Sequence, residues 1–209
     1  MVLNRLERKK RPYALYAFLW AFLLSAFIVV PVMIRDGGYF LHYGDFNVQE
    51  IPFYELAHDS IQSGNTGWSH LTDLGANFVG SYSFYLLGSP FFWVTVLMPS
   101  SWVAYSIGPL LMLKLGCASL TSYIYIRRYV RDKKYAVIGG VLYAFSGFSV
   151  YNIFFFHFHE AMIFFPLLLA ALDEYHATKR KGVVALAVFA CATVNYYFFV
   201  GQVIFVVIY

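Results

Sequence analysis

The strongest constraint on this chain is a run of 22 residues, 13–34, that contains no charged side chain. As a helix at about 1.5 Å per residue, such a run extends roughly 33 Å, enough to cross the hydrocarbon core of a bilayer. Long runs with at most one charge recur at 102–126, 135–156 and 182–209. Hydrophobic residues make up 60% of the chain and charged residues only 12%. The sequence therefore predicts an all-α polytopic membrane protein.

The basic residues are concentrated at the ends of these runs. Thirteen of the 15 Lys and Arg residues lie in three clusters: Arg5, Arg8, Lys9, Lys10 and Arg11; Arg127, Arg128, Arg131, Lys133 and Lys134; and Lys179, Arg180 and Lys181. This pattern is typical of cytoplasmic loops, whereas a nucleic-acid-binding surface would spread its charges along one face. We therefore expect no nucleic-acid partner, a multi-pass location in the cell membrane and a cytoplasmic N-terminus.

The charge pattern predicts five spans, at about 13–34, 102–126, 135–156, 158–176 and 182–203. Residues 35–101 are expected to form a long extracellular loop, because 35–82 holds six acidic residues and one basic residue. Within this loop we predict a surface helix from Pro52 to about Gln62 and an interfacial or re-entrant segment at 84–98, which is too short to span. The chain ends on apolar residues, so we expect the N-terminal part of one transmembrane domain of a larger protein.

Asp45 is the first candidate for chemistry, because it follows the first span by about ten residues. A carboxylate at the membrane surface can act as a general base or bind a metal ion. Gln49 lies four residues further on and would share a helical face with Asp45. The competing interpretation is a solvated acidic loop that caps a helix.

Two further candidates lie close to the membrane. His157, His159 and Glu160 place three polar groups within four residues, which could bind a metal ion or contact a phosphate. The alternative is an interfacial aromatic turn that contains histidines. Lys114 lies near the middle of a span, where a charge is costly and usually faces a cavity or a partner. Alternatively, Lys114 extends to the interface or pairs with an acid outside this chain.

Short motifs follow the first span in a fixed order. They are Gly44-Asp45 with Gln49, Trp68, Gly75-Ala76-Asn77, Gly80-Ser81-Tyr82, Leu86-Leu87-Gly88-Ser89-Pro90, Lys114, Phe145-Ser146-Gly147-Phe148, Tyr151-Asn152 and His157-Phe158-His159-Glu160. In this order the motifs resemble the N-terminal part of the YfhO family of bacterial membrane proteins. That family is similar to the C-type glycosyltransferases, and the resemblance covers nearly the whole chain.

The resemblance implies C-type glycosyltransferase-like transmembrane helices with a long first extracellular loop. It also implies transfer of a sugar from a polyprenyl-phosphate carrier to an extracellular acceptor of the cell envelope, such as lipoteichoic acid, with inversion at the anomeric carbon. Asp45 occupies the place of the catalytic acidic residue of C-type enzymes. The expected partners are membrane lipid, the polyprenyl-phosphate donor and the polymer acceptor.

The lipid phosphate that leaves in this reaction needs positive partners. The candidates are Arg35, Lys114, His157 and His159, or a divalent metal ion as cofactor. Together with Gln49 and Glu160, these four residues form the expected substrate-binding set.

Two other functions stay open at this point. A lipid or polymer transporter or flippase would explain Lys114 and the broken apolar segments without any catalyst. A non-catalytic subunit of an envelope-synthesis complex would tolerate free replacement of the acids in the outer loop. The long acidic and aromatic loop favours the enzyme over both.

Overall fold

The computed structural model describes residues 12–72 and 74–209. The basic cluster between Arg5 and Arg11, and Asp73 of the outer loop, lie outside the described residues. Three of the described helical stretches are long and apolar enough to cross a membrane: Tyr13–Arg35, Ser100–Ile126 and Lys133–Phe154. The prediction of an all-α membrane protein is therefore confirmed, while the orientation of the chain in the membrane stays a prediction.

Helices account for most of the described chain. They are α1 (Tyr13–Arg35), α2 (Ile51–Gln62), α3 (Phe78–Tyr82), α4 (Pro90–Thr95), α5 (Ser100–Ile126), α6 (Lys133–Ala144), α7 (Gly147–Tyr151), α8 (Phe158–Thr178), α9 (Lys181–Val194) and α10 (Tyr196–Ile208). π-helical turns at Phe46–Glu50 and Ser83–Leu87 and a 3-10 turn at Asn152–Phe154 connect some of them. A short antiparallel hairpin, β1 (Trp68–Ser69) and β2 (Ala76–Asn77), pairs Trp68 with Asn77 and Ser69 with Ala76.

Helix α5 is the centre of the fold and packs against α1, α2, α4, α6 and α8. In its most apolar stretch 72% of the residues are buried, compared with 22% in α1 and 17% in the stretch Lys133–Phe154. The apolar faces that α1 and α6 leave exposed are the surface that lipid chains would cover. The core of the protein is thus built around α5.

Small residues allow the neighbouring helices to approach α5 closely. A Cβ atom added to Gly116 would lie 2.8 Å from Phe18 of α1, and one added to Gly140 of α6 would lie 2.6 Å from the carbonyl oxygen of Ser119. The hydroxyl of Ser119 also donates a hydrogen bond of 2.8 Å to the carbonyl of Ala17. One position of α5 therefore contacts both α1 and α6, as small residues permit in membrane helix pairs.

The segment between α1 and α5, described over residues 36–72 and 74–99, packs onto this centre; we call it the outer segment after the side of the membrane predicted for it. Helix α2 matches the predicted helix at 52–62, but it buries Tyr54, Ala57 and His58 and packs against α5. The apolar segment 84–98 is broken at Gly88 and Ser89, after which Pro90 begins α4. The break touches α9, because a Cβ atom on Gly88 would overlap the carbonyl of Thr193.

Two of the predicted spans are interrupted in the structure instead of forming one continuous helix each. The stretch 182–203 is divided between α9 and α10 at the buried Asn195, whose side chain accepts a 3.2 Å hydrogen bond from the Phe198 N–H and caps α10. The apolar composition of this stretch concealed the break, because a single Asn in a charge-free run barely changes hydropathy.

In the stretch 135–156, α6 ends at Ala144 and the helical path continues through α7 to Phe154. The predicted span 158–176 lies within α8, which carries Glu160 near one end and Asp173 near the other.

We predict that Gly140→Ala destabilises the protein by about 1–3 kcal/mol, because its methyl group would be forced against the Ser119 carbonyl. The matched control is Gly139→Ala, which meets only the mobile end of Ile126 at 3.1 Å and gains the same helix propensity. Thermal unfolding in detergent micelles would compare the two variants. Equal melting temperatures would contradict the close contact between α5 and α6.

A polar contact fixes α2 to the start of α5. His58 Nδ1 lies 3.0 Å from an oxygen of Asp59, and the hydroxyl of Ser100 donates to the same oxygen at 2.7 Å. The other ring nitrogen of His58 lies 3.0 Å from the carbonyl of Met98. The hydrogen bond from His58, followed by that from Ser100, lowers the pKa of Asp59.

Because the pKa of Asp59 is lower in the folded protein, this contact contributes its full stability above the unfolded-state pKa of about 3.9, and that contribution is lost as the pH falls from there through the lower pKa of the folded protein. We expect Asp59→Asn to reduce the fall in melting temperature between pH 5 and pH 3. Glu55→Gln, which removes an exposed carboxylate of the same helix, should leave that fall as in the wild type. Equal pH profiles for Asp59→Asn and the wild type would contradict the assignment.

Candidate functional site

An ion pair joins the middle of α5 to the first turn of α8. Lys114 Nζ lies 2.8 Å from Glu160 Oε1, and both side chains are buried. The ammonium group also donates a 3.0 Å hydrogen bond to the carbonyl of Phe156 and lies 3.2 Å from the centroid of its ring. Lys114 therefore faces a partner within this chain, rather than the interface or an acid outside it. This arrangement avoids the cost of an unpaired charge inside the membrane.

A second buried pair connects the outer segment to the same end of α8. Glu50 Oε1 lies 2.6 Å from His157 Nδ1, and both side chains are almost completely buried. Glu50 ends the π-helical turn Phe46–Glu50, and His157 directly precedes α8. π-helical turns are rare and occur frequently at functional sites, so this turn is a candidate part of such a site.

Ser89 and Tyr54 complete the assembly. The hydroxyl of Ser89 donates to Glu160, and it also accepts backbone N–H groups at the start of α4. Burial, and then the charges of Glu160 and Glu50, raise the pKa of Tyr54 well above its ordinary value, so the phenol is neutral. Its hydroxyl lies beside Ser89 but makes no well-formed hydrogen bond with a described residue. We call these residues the buried polar cluster: Glu50, Tyr54, Ser89, Lys114, His157 and Glu160.

Sequence reasoning missed three members of this cluster. Glu50 and Tyr54 are four residues apart and so share a helical face, but nothing in the sequence indicates that this face turns inward. Ser89 before Pro90 is a helix-start signal, and its side chain caps α4 in the structure. Its second bond, to Glu160, spans 71 residues and has no local signal.

His159 has a different role from His157. Its Nε2 lies 3.0 Å from the carbonyl of Ser149, and so it links α8 to α7. His157, His159 and Glu160 do not form the predicted three-ligand group. Within residues 12–72 and 74–209, no group of three or more His, Cys, Asp or Glu side chains is placed to bind a metal ion.

Asp45 lies at the outer edge of the buried polar cluster. It follows Gly44, whose φ of +57° favours glycine, and it directly precedes the π-helical turn. Asp45 is partly exposed, and its carboxylate makes no hydrogen bond or ion pair with another described side chain. Tyr85 lies near both Asp45 and Gln49. Burial raises the pKa of Tyr85, and the charges of Glu50 and Asp45 raise it further. A hydrogen bond from Gln49 acts in the opposite direction and lowers this pKa.

Arg35 is not brought to the cluster. It ends α1, its side chain is 69% exposed, and it forms a two-bond ion pair with Asp36 at 2.6 and 2.8 Å. This contact lowers the pKa of Asp36. The described contacts thus unite Lys114, His157 and Glu160 with Glu50, place Asp45 and Gln49 beside them, and leave Arg35 and His159 with other partners.

We predict that Lys114→Met destabilises the protein by about 3–5 kcal/mol, because Glu160 would remain buried without its cation. The double variant Lys114→Met, Glu160→Gln should recover most of this loss, since it removes both charges and leaves Ser89 an acceptor. Denaturant unfolding in detergent micelles would measure all three proteins. A double variant less stable than the single variant would contradict the pairing.

Comparison with known proteins agrees with this architecture. Residues 17–209 match the family model described as bacterial membrane protein YfhO. No curated protein and no solved structure matches the chain significantly. The matched range includes every member of the buried polar cluster and Asp45, and the resemblance to this family is confirmed. The chain belongs to the YfhO family of bacterial membrane proteins.

Proposed function

We propose that this protein is a membrane glycosyltransferase that moves a sugar from a polyprenyl-phosphate carrier to an extracellular acceptor of the cell envelope, such as lipoteichoic acid. Membership of the YfhO family supports a glycosyltransferase-like role. The observation that carries the proposal is the setting of Asp45: a partly exposed carboxylate, free of ion pairs with described residues, at the edge of a buried ionic cluster.

Asp45 has the properties of a general base. Because no cation neutralises it within the described chain, both carboxylate oxygens can accept a proton from an acceptor hydroxyl. As that proton moves to Asp45, the acceptor oxygen bonds to the anomeric carbon, and the bond from that carbon to the phosphate oxygen breaks. Attack from the face opposite the phosphate inverts the anomeric carbon. A base in this position contributes about 10²–10⁴-fold to the rate.

The buried polar cluster would position this base. Glu50 is five residues after Asp45, and its bond to His157 attaches the π-helical turn to the start of α8. Lys114 and Glu160 satisfy each other, so we propose that they fix α8 against α5 instead of contacting substrate. Preorganisation of this kind is required where a displacement of about 1 Å already costs activity.

A transporter for a lipid or polymer is the second candidate, and one observation favours it. A buried ion pair between membrane helices, such as Lys114 with Glu160, is also typical of ion and proton pathways. The interruption at Asn195 resembles the broken helices of transporters. A transporter, however, gives no reason for an unpaired carboxylate at Asp45.

We expect Asp45→Asn to lower sugar transfer by about 10²–10⁴-fold, because an amide cannot accept the hydroxyl proton. The measurement is the sugar content of the envelope polymers in a deletion strain that expresses the full-length gene or its variant. Glu55→Gln, an exposed acid of the same outer segment, is the matched control and should restore decoration fully.

Equal membrane levels of all three proteins make the comparison valid. If Asp45→Asn restores decoration as well as Glu55→Gln does, Asp45 is an ordinary loop acid and the catalytic proposal is wrong. Transport or a structural role would then be the better assignment.

A further inference from the structure

His157 has one ring nitrogen that the fold leaves unused. Nδ1 is bound to Glu50 at 2.6 Å. Nε2 is buried and has no hydrogen-bond partner among the described residues, in a side chain only 2% exposed. Leaving a buried polar nitrogen unpaired costs free energy, so such an atom calls for a partner that the described chain does not supply.

The charges around His157 indicate which kind of partner fits. Glu50 contacts no other basic side chain within ion-pair distance in the described residues, because Lys114 is paired with Glu160. The Glu50 carboxylate can only accept hydrogen bonds, so His157 Nδ1–H donates to it. With Nδ1 protonated, a proton on Nε2 makes the ring a cation and Nε2 a charged donor. The partner that fits this nitrogen is therefore an anion with a free acceptor.

Aromatic rings surround this donor. The ring centroids of Phe84 and Tyr85 both lie 4.9 Å from that of His157, and that of Phe158 lies 4.7 Å from it. These rings exclude water, and a hydrogen bond to a charged group is stronger in such surroundings than in water. An anionic oxygen is the acceptor that benefits most.

Tyr85 connects this donor to the proposed base. Its ring packs against His157. The charge of Asp45 contributes to the raised pKa of its hydroxyl group. Asp45 and His157 are therefore both neighbours of Tyr85. Such nearness suits a reaction in which a base acts on the acceptor and a donor stabilises the leaving group.

We propose that His157 Nε2 donates a hydrogen bond to the phosphate of the lipid donor, and that Glu50 is its positioning residue. This inference rests on the proposed function. As the bond between the anomeric carbon and the phosphate oxygen breaks, the electron pair goes to that oxygen, and the hydrogen bond stabilises its charge. The acceptor proton goes to Asp45, so His157 keeps its own proton and no further reactant is needed.

The test compares binding of farnesyl phosphate with binding of farnesol, which lacks the phosphate. The full-length protein in lipid nanodiscs is titrated with each probe. The wild type should bind farnesyl phosphate more tightly than farnesol. In His157→Phe the ratio of the two dissociation constants should fall by about 10- to 100-fold, which corresponds to the loss of one charge-assisted hydrogen bond. Farnesol binding reports whether the apolar part of the site is intact in each variant.

His58→Phe is the matched control. His58 is also buried and also bonded to a carboxylate through Nδ1, but its Nε2 already has the Met98 carbonyl as partner. Its removal should leave the phosphate preference unchanged. Glu50→Gln should lower the preference less than His157→Phe does, because the ring nitrogen remains but its charge and orientation are less well supported.

A spectroscopic measurement tests the contact without any variant. In protein labelled with ¹⁵N-histidine, farnesyl phosphate should shift the Nε2 resonance of one buried histidine, whereas farnesol should not. A merely structural His157 would give the same spectrum with both probes. This measurement decides the question if His157→Phe fails to fold.

The outcomes separate this inference from the proposed function. If His157→Phe keeps the full phosphate preference, the inference is wrong, and the role of Asp45 is unaffected. If the wild type itself shows no preference for the phosphate, both the inference and the donor class of the proposed function are wrong.

Discussion

The pairing of Lys114 with Glu160 is the constraint on which the rest of the structure depends. A charge in the middle of the central helix has to be neutralised, and its partner comes from the helix that follows the aromatic turn at 152–156. That requirement fixes the relative position of α5 and α8. Ser89 donates a hydrogen bond to the same carboxylate, so this pairing also fixes the position of the break at Gly88 and Ser89. The outer segment and the membrane helices therefore meet at one buried ion pair.

The proposed function depends on residues at the boundary of this buried ion pair, where hydrogen-bonding groups are still available. Inside, Lys114, Glu160 and Ser89 satisfy one another and have little capacity left for a ligand. At the edge, Asp45 has no such partner among residues 12–72 and 74–209, and within the same residues His157 has one nitrogen in use and one free. Chemistry is therefore expected where the polar network is incomplete. The completed part supplies the rigidity that an incomplete network needs to keep its geometry.

The sequence was sufficient for the membrane class, for the helix at 52–62 and for the expectation that Lys114 faces a partner, because hydropathy, a helix-start proline and a charge inside an apolar run are local signals. It was insufficient for Asn195, where a polar residue ends a helix inside an apolar run, and for the partner of Lys114. That partner was present in the sequence as Glu160, but it was grouped with His157 and His159 as a possible metal site. Neighbours along a helix N-terminus point in different directions, and only tertiary packing shows that Glu160 faces α5 while His159 faces α7.

The contact of Gly88 with the carbonyl of Thr193 has a mechanical consequence. The two backbones touch with no side chain between them, so neither can move toward the other, and displacement at one is transmitted to the other. Thr193 lies two residues before the corner at Asn195, and Gly88 lies one residue before Ser89. Tilting of α10 would therefore be transmitted through the corner at Asn195 and these two backbones to the hydrogen bond between Ser89 and Glu160. The angle between α9 and α10 and the position of Ser89 are then mechanically coupled.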